Sequence, residues 1–153
     1  MRLALTLTGM ASARLTSNVR GWTIGVGICV WASGAGWLIA HYLLSSEGTF
    51  GLAGSPSEPW WLKAHGAFAF LSIWMAGLLG GMHVANAWGQ HRRRWSGGTL
   101  LAAVLVLIVT GYLLYYVGAD RPRALISALH WILGLCLPAA YLTHRLTHRF
   151  RRR

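Results

Sequence analysis

Seven histidines lie in a chain of 153 residues that has only three acidic side chains. Three of them stand in largely apolar runs, His65 opening "HGAFAFL", His83 in "GGMHVANAW" and His130 in "LHWILGLCLP", and His144 stands in "THR" where the last uncharged run ends. An imidazole in such a run is costly unless something coordinates it or hydrogen-bonds it. Their spacing is helical. His83 is eighteen residues beyond His65, five full turns, which returns it to the same face about 27 Å away along a helix. His144 is fourteen residues beyond His130, within about 40° of the same face and about 21 Å away.

The elements that must position these rings are membrane spans. The sequence is 55% hydrophobic and 11% charged, a membrane composition. Four uncharged runs, Gly21 to Ser46, Ala64 to His91, Trp95 to Ala119 and Ala124 to His144, each have at least 21 residues, enough to cross a hydrocarbon core of about 30 Å as a helix. The expectation is an all-α integral membrane four-helix bundle. It forms a single transmembrane domain over 1–153, with spans near 22–44, 62–88, 97–118 and 124–145, a short basic N-terminal arm and a basic, disordered and solvated C-terminal tail near anionic lipid. The opening "MRLALTLTGMASAR" reads as a pre-helix arm and not a signal peptide, because its apolar part is broken by threonines and glycine. The loop "SSEGTFGLAGSPSEPWW" reads as irregular, with Trp60 and Trp61 anchoring the second span at the interface.

Charge sets the orientation. Arg2, Arg14, Arg20, Arg92, Arg93, Arg94, Arg145, Arg149, Arg151, Arg152 and Arg153 all flank one side of the spans, and Lys63, Arg121 and Arg123 lie on the other with Glu47, Glu58 and Asp120. The positive-inside rule puts both termini in the cytoplasm, and it accounts for the basic runs without nucleic acid. No span contains an acid, so a carboxylate proton relay has no path. No Ser-His-Asp arrangement, phosphate loop, internal repeat or heptad is present, and no catalytic residue is assigned. Cys29 and Cys136 belong to no Cys-x-x-Cys-His motif, which excludes covalent c-type haem.

The second and fourth spans run in the same direction, so histidine depths compare directly. His65 follows Trp60 by five residues and His130 follows Arg123 by seven, making an outer pair. His83 and His144 make an inner pair. His148, eighteen residues from His130 and in phase with it, competes for the inner place, and depth in the bilayer favours His144. Two facing pairs at two depths suit two six-coordinate haem irons, each taking one nitrogen on either side of the macrocycle. Two other readings use the same residues. One is a transition-metal transporter or sensor, which calls for a cluster at one depth or a continuous ladder; the other is an anchor subunit whose histidines are structural.

The order of these motifs, with the basic loop and "GYLLYYVG" between them, resembles the four-helix bacterial di-haem b-type cytochromes. These are related in plan to the cytochrome b subunits of hydrogenases and formate dehydrogenases, and the resemblance covers about residues 22–146. It implies two haem b groups and electron exchange with a quinone. It further implies a multi-pass place in the bacterial inner membrane among its lipids, and a partner such as a periplasmic dehydrogenase or cytochrome. The chain is then an electron carrier or the cytochrome b subunit of an oxidoreductase. Some relatives take a ligand from the first helix, so His41 is an alternate for His65. Lys63, Arg121 and Arg123 outside, and Arg92 to Arg94 with Arg145 inside, are candidate partners for haem propionates. Tyr112, Tyr115 and Tyr116 fit an aromatic belt, and one of them with His41 could face a quinone. Gly25, Gly27, Gly34 and Gly36 permit close approach to the first span, as do Gly77, Gly80 and Gly81 beside His83, and Gly134 after His130. A reporter active only in the periplasm is expected to be silent when fused after Arg153 and active when inserted at Gly54; the reverse pattern would invert this topology.

Overall fold

The computed structural model describes the backbone of residues 17–48, 51–81 and 94–150, and the side chains of 18–45, 54–81 and 97–146. The N-terminal arm, His83, His91, Arg92, Arg93 and the last three arginines lie outside the described residues. Four helices dominate: α1 Ser17–Tyr42, α2 Glu58–Leu79, α3 Arg94–Tyr116 and α4 Asp120–Phe150. All four are long and apolar enough to cross a membrane. α4 exceeds its expected span, because the turn after His144 continues as helix through Arg145 and Arg149 to Phe150. That part of the basic tail is helical.

The loop between α1 and α2 is not wholly irregular as expected. Strands β1 Ser46–Gly48 and β2 Gly51–Ala53 pair antiparallel, with Glu47 opposite Leu52. α2 then starts with Glu58 in its first turn and Pro59 just inside it, a placement that suits the positive helix N-terminus and a position whose N–H has no helical partner. At the other hairpin the Arg123 guanidinium donates to the Leu114 and Val117 carbonyls. It thereby caps the last turn of α3, whose carbonyls have no partner further along the helix. Pro138 lies inside α4 and removes the bond to Gly134, four residues earlier.

Packing is by hairpins. α1 pairs with α2, α3 pairs with α4, and α1 also meets α4. The end bearing Glu58 and Asp120 is called outer here. Large apolar side chains point away from the protein: Phe70 is 79% exposed, Leu125 74% and Trp22 69%. Among the described residues the buried positions are few, and beside Val26 and Met75 they are the small or polar Ala40, Ser33, Ser55 and Thr110. A water-soluble bundle would reverse this pattern, whereas lipid is as good a solvent for leucine as another leucine is. Hydroxyls inside the spans bond back to their own helices, Thr23 to Val19, Ser33 to Cys29, Ser72 to Phe68 and Thr110 to Val106, which satisfies them where no water is present.

One close approach holds the first hairpin. A Cβ at Gly36 would lie 2.6 Å from the Trp61 ring, too near for any side chain to share the space. Gly36→Ala is therefore expected to destabilise the hairpin by about 1–3 kcal/mol through overpacking. Thermal unfolding in detergent should show the loss, and the loss should shrink when Trp61→Ala is present as well; equal losses in both backgrounds would refute the contact.

Candidate haem-ligand site

The outer pair expected from the spacing is brought together. The His65 ring on α2 and the His130 ring on α4 have centroids 6.2 Å apart with planes at 85°. Each ring leans on the other helix of its own hairpin. His65 Nδ1–H donates to the Val30 carbonyl at 2.9 Å, with Ser33 Oγ a more distant acceptor at 3.3 Å. His130 Nδ1–H donates to Thr110 Oγ1 at 2.8 Å.

The direction of these bonds follows from counting protons. A carbonyl can only accept. The Ser33 hydroxyl lies within donating distance of the Cys29 and Val30 carbonyls, at 2.8 and 3.0 Å, and the Thr110 hydroxyl of the Val106 and Leu107 carbonyls, at 2.7 and 3.2 Å. Each hydroxyl thus offers the imidazole a lone pair and no proton. In a neutral ring the proton then sits on Nδ1, and Nε2 carries the free lone pair. That is the arrangement of a metal-bound histidine, whose other ring nitrogen donates to a carbonyl or similar acceptor.

The separation fits as well. A metal–imidazole bond of about 2 Å plus about 1 Å from nitrogen to ring centre, taken twice, spans about 6 Å. Glycines make the room. A Cβ on Gly34 would lie 3.0 Å from His65 Cε1, and one on Gly111 would lie 3.3 Å from His130 Cε1. Sequence reading anticipated Gly34 as a site of close approach, but it missed Ser33, Thr110 and Gly111. The available signal was a hydroxyl residue directly before glycine, in "ASGAG" and "VTGYL".

His41, the alternate outer ligand, is engaged elsewhere. Its Nδ1 pairs with Glu58 Oε1 at 2.8 Å, and its ring stacks on Trp37 at 4.6 Å. The ring that meets His130 is His65. Of the inner candidates, His144 lies beside α3, where a Cβ on Gly97 would be 3.7 Å from its Cε1. His148 lies on the helical backbone of α4, with its side chain outside the described ones. His83 is outside the described residues, and a Cβ added at Gly77, Gly80 or Gly81 meets nothing within 4 Å. Gly134 instead faces Leu107, at 3.8 Å.

Toward the inner end, an open apolar groove of about 510 Å³ runs between α1 and α2, walled by Gly21, Gly25, Val26, Cys29, Phe68 and Leu71. Its size is that of a small-molecule pocket. Gly27 points elsewhere, with nothing near it. Of the outer cations, Lys63 lies over the Trp60 ring at 4.6 Å and Arg123 caps α3. Tyr112, Tyr115 and Tyr116 are all exposed, the first and last with rings 4.6 Å apart, as an interfacial belt requires. No family model, no curated protein and no solved structure matches this chain.

Proposed function

We propose that this protein is a transmembrane electron carrier that holds b-type haem between paired histidines and exchanges electrons between a quinone and a redox partner at the membrane face. The observation that carries this reading is the His65 and His130 pair: two imidazoles 6.2 Å apart, with both Nδ1 protons committed and both Nε2 lone pairs left for a Lewis acid. His65 and His130 hold the outer haem. His83 and His144 hold the inner one, with His148 as the alternate.

When bound, haem supplies a one-electron redox centre whose potential depends on its axial ligands and surroundings. The chain's part is to fix the nitrogens, to exclude water with apolar helices and to offer cations at each end. Lys63 and Arg121 are the outer cations for propionates, since Arg123 is committed to the α3 carbonyls. The eleven basic residues on one side of the spans orient both termini toward the cytoplasm of a bacterial cell. A periplasmic dehydrogenase or cytochrome is the class of partner that this orientation serves.

A metal-transport reading is less well supported. Among the described residues no three His, Cys, Asp or Glu side chains come together as a ligand set, whereas haem iron asks the protein for only two nitrogens.

The purified protein is expected to be red, with a reduced b-type spectrum and two low-spin haems per chain. His65→Ala or His130→Ala should convert or remove one haem, and His41→Ala should leave both. The near-perpendicular rings predict a strongly anisotropic ferric resonance for the outer haem, dominated by one large g value. Quinol should reduce the oxidised protein. A colourless preparation holding zinc or copper would defeat the haem assignment, and failure of every quinol to reduce a two-haem preparation would defeat the quinone.

A further inference from the structure

We propose that a hydroxyl residue followed by glycine is the seat that positions each ligand histidine supplied by α4 and by the outer part of α2. On α3 Gly97 stands against His144 as Gly111 stands against His130, which makes His144 and not His148 the inner ligand of α4. The inference rests on the haem reading above and deepens it by naming the residues that aim the nitrogens.

Two copies of the seat are visible in full. In α1 the Val30 carbonyl, the Ser33 hydroxyl and Gly34 receive His65; in α3 the Thr110 hydroxyl and Gly111 receive His130. The glycine comes one residue after the hydroxyl in both. The closest acceptor differs, being the carbonyl for His65 and the hydroxyl for His130. In each case the ring edge at Cε1 lies against the glycine, where any Cβ would crowd it.

The Gly97 contact follows from register. Gly97 precedes Gly111 by fourteen residues on α3, and His144 follows His130 by the same fourteen on α4. The two helices pack as a hairpin and so run antiparallel, which makes both glycine–histidine contacts steps of one register. The contact atom is again Cε1, 3.7 Å from a Cβ at Gly97. Ser96 precedes Gly97 as Thr110 precedes Gly111. In that register His148 falls past the start of α3 at Arg94.

A seat should tune the iron as well as place the ligand. Removing the acceptor from Nδ1–H makes the imidazole a poorer donor, which disfavours the ferric state and raises the midpoint potential. Thr110 makes the close bond to His130, while Ser33 is the distant partner of His65. Thr110→Val is therefore expected to raise the outer midpoint, Thr110→Ser to restore it and Ser33→Ala to shift the same midpoint less.

The test is redox titration of the detergent-purified full chain, with low-spin haem counted by absorbance and paramagnetic resonance. Gly97→Leu is expected to lose or convert one of two haems. Gly27→Leu, at an exposed glycine with nothing within 4 Å, should keep both. Two unshifted low-spin haems in Gly97→Leu would overturn the His144 assignment, as would haem loss in His148→Ala with retention in His144→Ala. An unchanged midpoint in Thr110→Val would overturn the tuning role. A wild-type protein without haem would instead overturn the functional reading beneath.

Discussion

The rest of this bundle is arranged around one requirement, that an imidazole proton inside hydrocarbon must have an acceptor. Water cannot supply it, and the spans contain no carboxylate, so the acceptor has to be a backbone carbonyl or a hydroxyl from a neighbouring helix. A carbonyl in a helix is already bonded, and a ring can reach it only where the backbone is uncovered. That brings glycine to the same place. Gly34 and Gly111 expose their helices beside Ser33 and Thr110, and those two hydroxyls are among the few buried polar groups described.

Fixing Nδ1–H has a chemical consequence at the other nitrogen. A ring free to change tautomer offers its lone pair at either position, and a metal site built on it would be heterogeneous. Here both rings are held by acceptors that have no proton to give, since Ser33 and Thr110 donate to their own helices. The two rings meet across different hairpins, which pack through α1 and α4.

The outer end also shows how competing roles are resolved by contact. His41, Glu58, Lys63 and Arg123 all have the charge or nitrogen to serve a cofactor or quinone. Glu58 holds His41 against the start of α2, Trp60 lies under Lys63, and the α3 carbonyls hold Arg123. The His41–Glu58 and Arg123 contacts tie helix ends together where the chain leaves the apolar zone, while Lys63 and Trp60 are neighbours on α2. They leave His65, two turns deeper than Glu58, as the ring that meets His130.

By itself the sequence determined the elements and the candidates. Apolar runs of more than 20 residues admit only helices in lipid, so four spans were legible, and 3.6-residue periodicity put His65 with His83 and His130 with His144 on common faces. It also carried, unread, the equal fourteen-residue spacings of Gly97 with Gly111 and of His130 with His144. What only the tertiary structure decided was partnership between helices. Whether His41 or His65 meets His130 depends on rotation and offset between hairpins, set by contacts such as Trp61 on Gly36, which no single-helix period encodes. The ribbon between α1 and α2 and the extension of α4 to Phe150 escaped prediction for a related reason. Hydropathy marks where lipid holds the chain, and outside it local backbone bonding decides the conformation.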